Sequence, residues 1–309
     1  MIDFDSSLGK NKSGYWGELF RDCCERRGKM YRNIFSLVRE TGDFETALRT
    51  GFRLYYQPRS LWDTAAPAQE LKLFLQRLFE KYHPELIQPG THYRIPPIIH
   101  QIWLGSELPE RFKEAQKSWQ AQGWQYILWT EKDIEELCLE NKRLYDQSDN
   151  YGERSDIARY EILYRFGGIY CDCDFWCLQP AEFDRLNHFY DMYVGIQPLD
   201  IKMLAIANGL IASRPGHPVL RALIGSLKNI SWSPHTPVWM RSGPVLFTKL
   251  FWKHAGITTK DIALPPTYFF PLGLSQKNFP RKRMHELIQP ESMALHDWAA
   301  SWQGATTLR

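Results

Sequence analysis

An α/β fold with a mostly parallel sheet, preceded by a helical region, is the fold class this sequence predicts, and three observations predict it. Strand-like and helix-like segments alternate from residue 98 onward, the pattern that builds a parallel sheet covered by helices. Residues 15–24, 30–38 and 44–56 carry apolar side chains at mixed spacings of three and four, as stacked helices do. The 309 residues are 44% hydrophobic and 14% aromatic, enough to fill a sizeable core.

Charge and cysteine content narrow the function classes. A net charge of +3, from 38 basic and 35 acidic residues, is too balanced to argue for nucleic-acid binding. The six cysteines, Cys23, Cys24, Cys138, Cys171, Cys173 and Cys177, show no Cys-x-x-Cys pair. Reduced thiols are therefore expected in place of a disulfide framework, and Cys171, Cys173 and Cys177 lack the spacing of a tetrahedral zinc site. The N-terminus has no basic-then-apolar signal, and no window reaches the roughly eighteen apolar residues of a spanning helix. A chain that is cytoplasmic when made is the expectation.

Taken in order, residues 1–13 read as a leader and 15–24, 30–38 and 44–56 as helices, followed by a clear helical stripe at Leu71, Phe74, Leu75, Leu78 and Tyr82. Arg21, Arg26, Arg27, Lys29, Arg32, Arg39, Arg49 and Arg53 give this region a basic character that suits peripheral membrane or partner contact, or a solvated face. Prolines and Gly90 make 83–97 a linker. Residues 98–104 then form a strand candidate closed by Gly105-Ser106, 112–119 a helix, 125–129 a second strand, and Thr130 is the N-cap of a further helix. Ligands of such sheets bind outside the carboxyl ends of the strands. Trp103 ends the first strand, where an indole can stack on a nucleobase or fill the core.

The centre of the chain carries the chemistry. Ser155 is a candidate N-cap for a helix that holds Asp156 and Arg159 three apart on one face and stops at Gly167-Gly168. The next run, through Tyr170 to Phe175, reads as a strand whose period of two puts Asp172 and Asp174 on one face. Two carboxylates so close repel each other, which suits either two solvated aspartates at a strand end or the oxygen ligands of a hard divalent cation. Residues 194–197 and 205–213 are further strands; Asn208-Gly209 is a poor strand centre and is expected as a bulge or a close approach of backbone to ligand. Helices follow at 217–227 and 245–254, the second after the small-residue turn Ser242-Gly243-Pro244.

Three blocks in this order, residues 98–105 (IIHQIWLG), 154–160 (RSDIARY) and 167–174 (GGIYCDCD), resemble the family 32 glycosyltransferases, whose sugar-binding region holds a DXD motif. More distantly, they are similar to the glucosyltransferase domains of large clostridial toxins. The resemblance covers about residues 95–302 and includes the C-terminal His296-Asp297-Trp298 and Ser301-Trp302, with Asp297 where a second histidine is common. It implies a GT-A type fold over 91–309 with the 1–90 helical region as an appendage, and retaining transfer of a hexose from a nucleotide sugar, assisted by Mn²⁺ or Mg²⁺. By position, Trp103 would stack on the base, and Asp156 and Arg159 would hold the donor sugar. Asp172 would contact ribose or sugar and bridge to the metal through water, with Asp174 a direct ligand. Asn208 would lie near donor and acceptor, His296 would add a metal ligand, and Ser301 and the Trp302 indole N–H would donate to the diphosphate. A UDP-sugar is mildly preferred and GDP-mannose stays open. The acceptor would be a saccharide, a glycolipid or a protein hydroxyl, the last if the chain is a toxin-like secreted effector. Two other classes stand beside this reading, a metal-dependent phosphohydrolase and a non-catalytic sugar-nucleotide or partner-binding module. Oligomeric state is not legible.

Overall fold

The computed structural model describes residues 66–84, 90–120, 123–198, 203–228, 236–279, 284 and 286–299. The helices expected at 15–24, 30–38 and 44–56, with their basic residues, and the expected ligands Ser301 and Trp302 lie outside these residues.

The described strands are β1 (Ile98–Ile102), β2 (Gln125–Trp129), β3 (Gly168–Cys171), β4 (Phe175–Cys177), β5 (Met192–Ile196), β6 (Ile206–Ser213), β7 (Asp261–Leu264) and β8 (Ala294–His296). Six of them form one sheet in the order β2-β1-β3-β6-β5-β7, and β4 pairs with β8 in a second. In the large sheet β1 runs parallel to β2 and β3, and β5 parallel to β7, whereas β6 is antiparallel to both β3 and β5. Five strands therefore point one way. Their carboxyl ends and the start of β6 share one edge, which is where a sheet of this kind offers a ligand site. The expected α/β class with a mostly parallel sheet is the one observed.

The helices are α1 (Ala66–Lys81), α2 (Glu110–Gln120), α3 (Glu131–Glu136), α4 (Lys142–Gln147), α5 (Tyr151–Phe166), α6 (Pro180–Asn187), α7 (Pro218–Lys228), α8 (Val238–Arg241), α9 (Pro244–His254) and α10 (Pro266–Phe269). The apolar stripe of α1 is real: Leu71, Leu75, Leu78 and Phe79 are buried in the same cluster as β1, β3, β5 and β7, and Phe74 meets the Phe251 ring edge-on at 6.4 Å. Helix α1 thus shares the core of the sheet. Leu75→Ala is expected to lower unfolding stability by about 2–5 kcal/mol, the usual cost of a cavity at a fully buried leucine, and urea unfolding measures it.

Local rules account for most boundaries. Thr130 opens α3 as expected, with the Asp133 carboxylate accepting from its N–H at 2.8 Å and its hydroxyl at 2.6 Å. Helix α5 ends at Gly167, whose φ of 63° is left-handed, and Gly168 has no room for a Cβ, which would lie 2.5 Å from the Ile98 carbonyl. Three expectations need correction. Ser155 is not the N-cap of α5; Asn150 is, accepting from the Glu153 N–H, because the helix starts a turn earlier. The strand does not run on through Asp174: β3 stops at Cys171, and the aspartates occupy the turn before β4. Asn208 and Gly209 do sit inside a strand, β6, because tertiary contacts of both residues override their turn preference.

Buried His100 fixes the β1 end of the core. Its Nε2 donates to the Gly167 carbonyl at 2.8 Å and its Nδ1 accepts from the Trp129 indole at 3.1 Å. Burial pushes its pKa down to about 4, so the folded chain binds fewer protons than the unfolded chain between that value and the ordinary 6.5. Stability should therefore fall as pH drops through this window, by up to ~3 kcal/mol from His100 alone. Urea unfolding across it measures the slope, and His100→Gln should flatten it.

Candidate active site

The site lies where β3 ends. The Asp172 N–H donates to the Gly209 carbonyl at 2.8 Å, which keeps the first aspartate against β6, and the Phe175 N–H returns to the Asp172 carbonyl at 3.1 Å to close the turn. Strand β4 then pairs antiparallel with β8, setting Phe175 opposite His296, while the Asp297 N–H donates to the Asp174 carbonyl at 3.0 Å. Two distant stretches of sequence are brought together here. One ligand atom each of Asp172, Asp174 and His296 lies within 4.8 Å of the others. Two carboxylates and an imidazole form a donor set that suits Mn²⁺ well and Mg²⁺ through its oxygens.

Electrostatics separate the two aspartates. Asp174 Oδ1 is 3.2 Å from His296 Nε2, and its Oδ2 accepts from the Ala299 N–H at 2.9 Å. Burial works against the Asp174 charge, but His296 and these hydrogen bonds more than offset it and hold the carboxyl below its ordinary range. His296 mirrors this. Burial disfavours its protonation, and the Asp174 charge outweighs burial and holds the imidazole above its ordinary value. Asp172 goes the other way, raised by burial against the pull of Arg159, with Asp174 adding to the rise. The His296 ring is packed in place, stacked on Phe175 at 4.4 Å and flanked by Phe270 and Trp298. Trp298 itself adopts φ 55° and anchors its indole N–H on the Leu272 carbonyl at 2.9 Å.

A metal and a proton would compete for this imidazole. Divalent-metal affinity should rise with pH through the raised pKa of His296, each bound ion releasing a proton below it. Calorimetric Mn²⁺ titrations at about pH 6 and about pH 8, in two buffers of different ionisation enthalpy, read that proton directly. His296→Ala should remove most of the dependence.

Behind Asp172, Asp174 and His296 stands a buried polar network. Arg159 is a hub on α5: Nε donates to the Ser155 carbonyl at 3.2 Å, Nη1 to the Asn208 carbonyl at 2.6 Å, and Nη2 to the Ser155 hydroxyl at 2.9 Å. It also pairs with Asp172 at 3.2 Å and Asp156 at 3.3 Å, and lies over the Tyr170 ring at 4.3 Å. A relay runs from the Ser155 hydroxyl through the Tyr170 hydroxyl, at 3.0 Å, to Asp172 Oδ1, at 2.7 Å. Asp156 Oδ1 accepts from Asn208 Nδ2 at 2.7 Å and its Oδ2 from the Ser242 hydroxyl at 2.9 Å. Burial pushes the Asp156 carboxyl up to about 6, against the pull of Arg159. Asn208 Nδ2 also donates to the Tyr160 hydroxyl at 3.0 Å, so both of its N–H bonds are committed and the side-chain carbonyl is the atom it can offer a sugar.

Of the residues expected from sequence, the structure brings Asp156, Arg159, Asp172, Asp174, Asn208 and His296 into one connected site. Trp103 follows β1 at the same edge, half-buried, with its ring 5.2 Å from Phe112 and its indole N–H on the Ser106 hydroxyl at 3.2 Å. Sequence reading gave no role to Tyr170, Tyr160, Ser242 or Gly209. Tyr170 was recoverable, since it stands two residues before Asp172 where the strand period puts it on the same side. Gly209 was visible only as an odd strand residue; a Cβ there would lie 2.7 Å from Asp172 Oδ2.

With this geometry in view, the comparisons are specific. Residues 109–193, which include both aspartates, match the family described as the glycosyltransferase sugar-binding region containing the DXD motif. Residues 109–193 are thus similar to a DXD glycosyltransferase region. The chain is 27% identical over 228 residues to inositol phosphoceramide mannosyltransferase 1 of Schizosaccharomyces pombe, covering 70% of this chain and 65% of that protein. To inositol phosphoceramide mannosyltransferase 3 of the same yeast it is 34% identical over 190 residues, covering 59% and 51%. The chain thus spans between half and two thirds of the length of these relatives. A solved structure described as PaToxG Glycosyltransferase matches over 62% of this chain and 79% of that one, at 17% identity and a TM-score of 0.39. Among the described residues no helix is long and apolar enough to cross a membrane.

Proposed function

We propose that this glycosyltransferase region transfers a hexose from a nucleotide sugar with a divalent ion, Mn²⁺ by preference of the donor set, held by Asp174 and His296 with Asp172 beside it. The observation that carries the reading is the convergence of Asp172, Asp174 and His296 at the carboxyl edge of the sheet. The bound ion would neutralise the diphosphate as charge builds on the leaving group. The protein's own residues do the rest. Asp156 and the Asn208 carbonyl accept from hydroxyls of the donor sugar, Arg159 holds Asp156 and Asp172 in register, and Trp103 faces the base. Retention of configuration is retained from the family resemblance.

For the donor, the similarity to mannosyltransferases favours a mannosyl nucleotide, GDP-mannose, over the UDP-sugar that the sequence mildly favours. The same similarity favours an acceptor hydroxyl on an inositol-phosphate sphingolipid. A panel of GDP-mannose, UDP-glucose and UDP-N-acetylglucosamine, incubated with the full chain and Mn²⁺ or Mg²⁺ while released nucleotide is read, tests class and base together. Release from GDP-mannose with Mn²⁺ is expected. No release from any donor, with either ion and with acceptor lipid present, overturns the reading.

A further inference from the structure

Glu153 stands in the first turn of α5 with its side chain 1% exposed. Its Oε2 accepts from the Ser148 hydroxyl at 2.7 Å and pairs with Arg241 Nη2 at 2.7 Å, whereas Oε1 is buried and has no partner among the described residues. Burial raises this carboxyl above its ordinary range, against the pull of Ser148 and Arg241. A buried ion pair left half-satisfied adds little to stability, because desolvation offsets the attraction. Its effect lies in where it puts Arg241, the residue before Ser242 and 88 positions away along the chain.

The turn that carries Arg241 meets one face of α5. Beside the Arg241 pair with Glu153, the Ser242 hydroxyl donates to Asp156 Oδ2 at 2.9 Å and the Ser242 carbonyl accepts from the Tyr160 hydroxyl at 2.7 Å. Glu153, Asp156 and Tyr160 follow one another at three and four residues, so they line up along the helix. The turn itself is closely packed. The Met240 N–H donates to the Pro237 carbonyl at 2.9 Å, the Ser242 N–H to the Val238 carbonyl at 3.1 Å, and a Cβ on Gly243 would fall 2.8 Å from the Trp239 Cα. A displacement of Arg241 is therefore passed to Ser242. Among the described residues, Ser242 and Asn208 are the side chains outside α5 that donate to Asp156, and the charged groups facing it are Arg159 at 3.3 Å and Asp172. Tyr160, the titratable group beside it, stays neutral because burial pushes its hydroxyl far up.

We propose that the buried Glu153–Arg241 pair positions Ser242, whose hydroxyl then holds the Asp156 carboxylate in place as an acceptor for hydroxyls of the donor sugar; the sugar contact rests on the transferase reading above. Glu153 and Arg241 act through Ser242 and are positioning residues. A hydroxyl that donates to a carboxylate favours its charged form, so Asp156, already raised to about 6 by burial, should rise further when the turn loosens.

The experiment compares the full chain with the double variant Glu153→Met, Arg241→Met, with Ser242→Ala, and with the three changes combined. The double variant removes both charges together at similar volume, so it strands no ion and leaves the net charge around Asp156 unchanged. NMR titration of the aspartate carboxyls, with the Asp156 signal identified by its loss in Asp156→Asn, reads that group without turnover. Exchange of the Met240 and Ser242 amides reads the turn, urea unfolding reads stability, and the pH profile of nucleotide release reads the site. Ser242→Ala should raise the Asp156 pKa by about one unit, the scale of one hydrogen bond to a charged group. The double variant should move it the same way, speed amide exchange in the turn about tenfold, and shift the acid limb of nucleotide release upward with Asp156, while unfolding stability holds or rises. The combined variant should match Ser242→Ala, since the pair acts only through that hydroxyl. An Asp156 pKa that does not move in the double variant overturns the proposal, and stability lost alongside makes the pair merely structural. A further shift in the combined variant also overturns it. A chain whose Asp156 moves as expected but which releases no nucleotide keeps the positioning role and removes only the transferase reading.

Discussion

Asp174→Asn is expected to lower metal-dependent nucleotide release by on the order of 10²–10³-fold, the scale on which removal of one fixed electrostatic group acts. Asp172→Asn should fall in the same range, but the two variants should part in stability. The fold holds the Asp174 carboxyl low, so its charge stabilises the folded chain at every pH above the ordinary carboxylate value, and that contribution is lost as pH falls through the lowered one. The amide keeps one acceptor oxygen, so Asp174→Asn removes the charge beside His296 and leaves either His296 or the Ala299 N–H facing the amide NH2, at a cost of about 1.5–3 kcal/mol. Asp172 is raised instead, so the metal-free fold disfavours its charge and Asp172→Asn should leave stability unchanged or higher. Steady-state nucleotide release with Mn²⁺, beside urea unfolding in chelator, measures both. Full activity in either variant, or equal stability loss in both, would contradict the assignment.

The separation of the two aspartates marks how far sequence reading reached. The alternation of strands and helices, the Thr130 cap and the glycine stop of α5 were legible because each rests on local backbone preference. The Asp172 and Asp174 pair was legible as a candidate cation site, two like charges being costly at that spacing. The family resemblance implied unequal roles for them, but their opposite electrostatic shifts were not legible. The difference follows from β8 laying His296 at 3.2 Å from Asp174, a contact that no local pattern encodes. Ser155 was taken for a cap because its type suits one, whereas its hydroxyl sits inside the helix and links Arg159 to Tyr170. Asn208-Gly209 reads as a bulge or a close approach of backbone to ligand because both residues favour turns. The sheet overrides that preference: the amide is clamped by Asp156 and Tyr160, and the missing side chain of Gly209 leaves room for Asp172. Ser242 had its turn recognised but no role, since its partner Asp156 lies far away in the chain.

Arg159 carries the largest expected stability effect. The pair with Asp156, three residues earlier on one helical face, would be worth only tenths of a kcal/mol at a surface. Here the guanidinium is buried and every one of its three nitrogens is engaged, so Arg159→Met leaves Asp156 and Asp172 without their cation and the Ser155 and Asn208 carbonyls without a donor. Breaking one side of such a buried arrangement costs about 3–5 kcal/mol, and nucleotide release should vanish with it. Arg159→Lys should recover only part of the stability, because a single ammonium cannot reach the carbonyls, the hydroxyl and both carboxylates that the planar fork spans. The decisive comparison is the double variant Arg159→Met, Asp156→Asn. Burial already raises the Asp156 carboxyl to about 6, so neutralising it removes a charge the fold tolerates poorly once the arginine is gone. The double variant should therefore be more stable than Arg159→Met alone while remaining inactive. Urea midpoints of the unmodified chain, Arg159→Met, Asp156→Asn and the double variant read that non-additivity, and additive losses would show that Asp156 and Arg159 do not act as one unit.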